Sequence, residues 1–283
     1  MHTTSAQTSG IDQGQGPPPS LQIGKVGIIS RDYRKTFGNG HRDFSFALSR
    51  VLKILDDYAC DAALFSLFSI IPRADFNVRN SLEGLKSLQA VFLEEFTDKP
   101  RKKDSQREGG RFVVYHRSAE AWDEYYLHQQ FGTLRDLSRG EINSFVEKEL
   151  PRRLLGNCCI LLCGESNGVN YSKTRTKVED EAGMRKGIPS KVTVILNPVH
   201  DRMTRFEMNL KRSFLSEKGR WCISVWNKGK EDGNGRTRDG DEPPWMVFHN
   251  GKPQPVKRIS NELDLEIGIL ELGLRDALTN PGA

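Results

Sequence analysis

Residues 23–70 restrict the fold more than any other stretch. IGKVGIIS (23–30) is a short, β-branched apolar run of strand length. RDFSFALSRVLKILDDYA follows, with Phe44, Leu48, Val51, Leu52, Leu55 and Tyr58 at three- and four-residue spacing, one face of a helix. DAALFSLFSI (61–70) is a second apolar run. Strand, helix, strand of these lengths is a βαβ unit, so the two strands are expected to be parallel neighbours.

The pattern continues. SLEGLKSLQ predicts a short helix and AVFLEEF a third strand, while RFVVYHRS and WDEYYLHQQFG predict two strands joined by a turn around residues 118–121. A helix is expected over 141–150, ended by Pro151, then a strand over 157–163. VEDEAGMRK carries a short helix and KVTVILNP a strand. DRMTRFEMNLKRSFLSEKG predicts a helix with a Thr204/Glu207 capping box, a buried stripe of Met203, Phe206, Leu210 and Phe214, and Gly219 just past its end. RWCISVWN, WMVFHNGKP and LDLEIGILEL are strands, the second turning back at Asn250-Gly251. The order predicts an α/β protein with helices on sheet faces, and the antiparallel pair in mid-chain makes a sheet mixed.

The N-terminal stretch is rich in Ser, Thr, Gln, Gly and Pro and lacks the basic and apolar regions of a secretory signal, so residues 1–21 are expected to be a disordered tail. One domain is expected over 22–275, with a flexible end at 276–283. Residues 97–111 read as a solvated charged loop, and 228–244 as a long glycine-rich one. No apolar run reaches membrane-spanning length. The 42 basic and 37 acidic residues are interspersed, which argues against a dedicated nucleic-acid arm. Five cysteines without CxxC spacing argue against a disulfide framework and a structural zinc site, and fit reduced thiols in a cytoplasm. No metal or cofactor is implied.

In open α/β sheets, ligands collect at the C-terminal ends of parallel strands. The residues placed there are Cys163, Gly164 and Glu165; Asn197 and His200; Asn227 and Lys228; and Phe68 and Ser69. A thiol at a strand end followed by glycine has the logic of a nucleophile turn, with the next N–H facing a developing oxyanion. Such a thiol needs a base or a cation nearby, and His200, Glu165 and Lys228 are the candidates. The alternatives are structural. Cys158 and Cys159 lie inside the strand as packing residues, Cys163 could end it as one more, and His200 could help cap the following helix.

Three stretches resemble the carbon–nitrogen hydrolase (nitrilase) superfamily: ILLCGESNGV as its nucleophile segment, VTVILNPVHDRMTRFEMNLKRSFLSEKGRWCISVWNKG as the segment after it, and VGIIS through DAALFSLFS as its opening βαβ unit. WMVFHNGKP resembles its late hairpin. The resemblance implies a four-layer α-β-β-α sandwich assembled as dimers or larger oligomers. It also implies cysteine attack on a small amide or nitrile, with a Glu base and a Lys stabilising the tetrahedral intermediate. The Glu expected near residues 66–70 and the Lys expected near His128 and Gln129 have no counterpart. A rebuilt site would draw on His128, His200 or Glu165, with Gly164, Asn197, Asn227 and Lys228 as binding residues. It predicts a divergent hydrolase or acyl transferase with a fast-reacting Cys163. The alternatives are a catalytically inactive binding or regulatory module, and a doubly wound Cys–His hydrolase of the glutamine-amidotransferase type. The Asn-Pro segment and the antiparallel pair argue against the last.

Overall fold

The computed structural model describes residues 21–37, 40–96, 110–119, 121–131, 137–200, 206–229 and 242–273. Residues 1–20 of the expected tail, the C-terminal end, most of the 97–111 and 228–244 loops, and Met203 and Thr204 lie outside the described residues; Leu21, expected in the tail, is buried, and its carbonyl accepts from Asn157 N–H at 2.9 Å.

In chain order the elements are β1 (Lys25–Ser30), α1 (Leu48–Asp57), β2 (Ala62–Phe65), β3 (Ala90–Glu95), β4 (Arg111–Arg117), β5 (Trp122–Leu127), α2 (Arg139–Ser144), β6 (Leu154–Leu155) and β7 (Cys158–Ile160). They continue with β8 (Asn170–Ser172), β9 (Lys177–Glu179), α3 (Met184–Gly187), β10 (Val194–Pro198), α4 (Phe206–Ser216), β11 (Trp221–Val225), β12 (Trp245–His249), β13 (Lys252–Gln254), β14 (Lys257–Ile259) and β15 (Glu266–Glu271).

Two mixed sheets result. One has the order β14-β15-β1-β2-β3-β4-β5, the other β13-β12-β11-β10-β7-β6. The βαβ expectation holds: β1 and β2 are parallel, with Val26 opposite Ala62, and β2 is parallel to β3. In the second sheet β7, β10 and β11 are parallel. The hairpins β4–β5 and β12–β13 close as expected, the second at Asn250 and Gly251, both with positive φ.

Strand periodicity assigns the faces. Ala62 and Leu64 point from β2 into a core shared with Cys158, Ile160, Val194, Leu196 and Ile223 of the other sheet. Ala63 and Phe65 point the other way, onto Leu48, Val51, Leu52 and Leu55 of α1. On the far side, Cys159, Ile195 and Cys222 pack against Leu215 of α4 and Phe145 and Leu150, which follow α2. The layers are therefore helix, sheet, sheet, helix, a four-layer α-β-β-α sandwich. Gly27 sets the α1 spacing, since a Cβ there would stand 2.5 Å from Leu55 Cδ2.

Three local expectations are corrected. SLEGLKSLQ forms turns instead of a helix; Asp56 of α1 accepts from the backbone N–H groups of Lys86, Ser87 and Leu88, which a helix would direct along its own axis. Pro151 lies inside a 3₁₀ turn over Leu150–Arg153, which extends the helical path begun by α2. The buried face of α4 carries Met208, Lys211, Arg212 and Leu215, while Phe206 is 68% exposed. Apolar spacing alone misplaces that face, because the charged Lys211 and Arg212 are themselves buried.

Candidate active site

The parallel strands of both sheets end at a common rim, and inter-sheet hydrogen bonds tie it together. Ser30 at the end of β1 donates to the Trp226 carbonyl at 2.6 Å. Asn227, fully buried after β11, donates to the Leu67 carbonyl at 2.7 Å and accepts from Ser66 Oγ at 2.5 Å.

Cys163 opens a 3₁₀ turn over Cys163–Gly168 immediately after the β7 strand path and is 4% exposed. Its thiol neighbours the side chain of His200, which follows β10 after Val199, and is one of the groups that act on the imidazole's charge. His200 Nε2 in turn lies 3.3 Å from Glu94 Oε2 and 3.4 Å from Oε1. Burial works against the imidazolium, but Cys163 and Glu94 outweigh it and push His200 up to about 10. Buried Cys163 and Glu94 and half-buried His200 thus form a cluster that joins the two sheets.

Glu94 was not among the residues singled out from sequence. It is the next-to-last residue of β3, and its carboxylate reaches across to the end of β2, where Oε2 accepts from Phe68 N–H at 2.6 Å. An acid from the neighbouring strand therefore stands at the end of β2. The available signal was an acid closing an otherwise apolar strand, AVFLEE, a position where burial must be compensated.

A second cation is within electrostatic reach of Cys222 and Cys163. Arg212 of α4 is fully buried. Burial pulls its guanidinium down to about 10, opposed by Cys222 and Cys163. The remaining strand thiols are held neutral: burial pushes Cys158 and Cys222 up to about 12 and raises Cys159 further.

The other sequence-selected residues lie in different surroundings. Glu165 is fully buried and accepts from Arg153 Nη2 at 2.6 Å, from Leu162 N–H at 2.9 Å and from Gln130 N–H at 3.0 Å. Burial pushes its carboxyl up to about 7 against Arg153 and those two N–H groups. The His128 side chain is exposed, and its carbonyl accepts from Arg153. Gly164 is buried in the turn beside Cys163. Asn197 donates to the Leu161 carbonyl and accepts from Ser224 Oγ, a brace within the second sheet. Lys228 pairs with Glu266 at 3.3 Å and lines a polar cleft of about 620 Å³ with Asp32, Arg34 and Arg258. Of the candidate set, the structure brings Cys163, Gly164 and His200 together. No cluster of metal-ligand residues is found among the described residues.

What these features define is an α/β sandwich with a thiol–imidazole–carboxylate cluster at its strand ends. No family profile matches the chain, and no curated protein matches it. Among solved structures it is similar to a mutant amidase from Nesterenkonia sp. AN1 showing covalent addition of the acetamide moiety of fluoroacetamide at the active-site cysteine. The identity is 13% and the TM-score 0.43, over 94% of this chain and 96% of that one. Another mutant of that amidase, in complex with butyramide, is 12% identical with a TM-score of 0.42, over 94% and 99%. No helix among the described residues is long and apolar enough to cross a membrane.

Proposed function

We propose that this protein is a thiol-dependent hydrolase or acyl transferase acting on a small amide or nitrile, a divergent relative of the carbon–nitrogen hydrolases. The observation that carries the reading is the Cys163–His200–Glu94 cluster. Glu94 favours the imidazolium, which pairs with the sulfur as it becomes the nucleophile. The Cys163 thiolate attacks the amide carbon, forming a C–S bond and placing charge on the carbonyl oxygen, toward which the Gly164 N–H is the candidate donor. As the C–N bond breaks, His200 gives its proton to the departing nitrogen. Neutral His200 then takes a proton from water, which attacks the thioester carbon. The C–S bond breaks with its electron pair returning to the Cys163 sulfur, the acid leaves, and the proton on His200 restores the starting pair. An amine or alcohol in place of that water gives acyl transfer.

Arg212 adds the positive charge that the family's lysine would provide. Glu165, in this reading, shapes the turn that presents Cys163. A second reading, a nitrilase-like binding or regulatory module without turnover, is favoured by the 4% exposure of Cys163, which limits substrate access.

The test is incubation of the purified chain with a panel of short-chain amides and nitriles, following ammonia release and the intact mass. Ammonia together with an acyl adduct on Cys163, both absent in Cys163→Ala, supports hydrolysis. Neither signal across the panel, together with a ligand-induced rise in Tm, supports the binding module.

A further inference from the structure

We infer that Phe68 is a positioning residue for the Glu94–His200 pair, holding the acid with its backbone and the imidazole with its ring. This rests on the proposed role of Cys163 and His200. Phe68 follows β2 with φ +58, a left-handed conformation uncommon for a bulky side chain. That conformation accompanies the 2.6 Å donation from its N–H to Glu94 Oε2. Its ring lies 4.2 Å from the His200 ring, tilted by 39°. Phe96 supports it at 5.2 Å and Tyr33 at 6.4 Å, and the Tyr33 hydroxyl donates to the His200 carbonyl at 3.1 Å.

Glycine would adopt this backbone without penalty and keep the N–H. The bond to Glu94 therefore does not by itself require Phe. The ring has a separate use. It covers one face of His200, and an aromatic face beside an imidazolium favours the charged form. It also fixes the plane of the imidazole between Glu94 and Cys163, the geometry on which proton transfer depends.

The experiment measures iodoacetamide alkylation of Cys163 against pH by peptide mass spectrometry in full-length protein, with Tm recorded for each variant. Phe68→Tyr should stay within about twofold of wild type, since it retains the ring. Phe68→Gly should melt no lower than Phe68→Ala, yet lose roughly tenfold in rate at neutral pH with a displaced pH midpoint. Alkylation of Phe68→Gly at the wild-type rate with an unmoved midpoint overturns the inference. Should Phe68→Gly not fold, Phe68→Leu keeps the bulk without the ring; a displaced midpoint supports the inference and an unmoved one overturns it. His200→Ala separates the two levels. If it slows alkylation while the Phe68 variants do not, only the Phe68 inference fails. If it too is without effect, the Cys163–His200 reading fails.

Discussion

Glu94 and His200 stand 106 residues apart in sequence, one near the end of a strand of the first sheet and the other following a strand of the second, and their side chains meet at 3.3 Å. The contact places a carboxylate behind the imidazole that faces Cys163. Glu94→Gln keeps the shape and the bond to Phe68 N–H but removes the charge. Iodoacetamide labelling of Cys163 at neutral pH is expected to fall about tenfold in Glu94→Gln and on the order of 10²-fold in His200→Ala. Equal rates in both variants and wild type would show that the pair does not act on the thiol.

The same pair has a stability consequence with a definite sign. His200 is raised from an ordinary value of 6.5 to about 10 in the folded protein. Its contribution is fully present below about pH 6.5 and disappears as pH rises through about 10. Chemical denaturation across that interval should show wild type losing stability relative to His200→Gln, whose profile should be flatter there. Parallel profiles for the two proteins would contradict the assignment.

These predictions turn on a residue that sequence reading did not select, and the reason is physical. Strand periodicity identified β1, β2, β10 and β11, and strand ends located Cys163 and His200, because burial on a sheet face leaves a local pattern. Glu94 lies on a strand whose neighbour it serves. Which acid reaches the end of β2 depends on sheet order, a non-local property. Glu165 illustrates the converse. Its place two residues after Cys163 suggested chemistry, whereas a buried Arg153 from a separate turn, 12 residues back, engages it at 2.6 Å. The face of α4 was misassigned because a buried Lys or Arg carries no apolar signature.

The Arg153–Glu165 pair gives a prediction that separates architecture from chemistry. Both side chains are fully buried. Arg153→Met leaves Glu165 with two N–H donors and no cation, and should cost about 3–5 kcal/mol in urea unfolding. Arg153→Met combined with Glu165→Leu should recover part of that loss, because removing both charges leaves neither stranded. In Glu165→Gln, folded protein should label at Cys163 at close to the wild-type rate. A loss of labelling with the fold intact would instead make Glu165 part of the proton-transfer machinery.

Asn227 is the brace whose removal should disturb stability and site together. Its Oδ1 accepts from Ser66 Oγ at 2.5 Å and from Arg31 N–H at 3.2 Å, and its Nδ2 donates to the Leu67 carbonyl at 2.7 Å and to Tyr33 Oη at 3.2 Å. One amide thereby ties the ends of β1 and β2 to the end of β11. Asn227→Leu fills the volume but withdraws these partners, and should lower unfolding free energy by roughly 2–5 kcal/mol. Tyr33 also donates to the His200 carbonyl, so the displaced rim should slow Cys163 alkylation in the protein that remains folded. Asn227→Asp retains the acceptor and loses the donors to Leu67 and Tyr33, and should also melt below wild type. A Leu variant as stable as wild type would mean the rim is held by β-sheet packing alone.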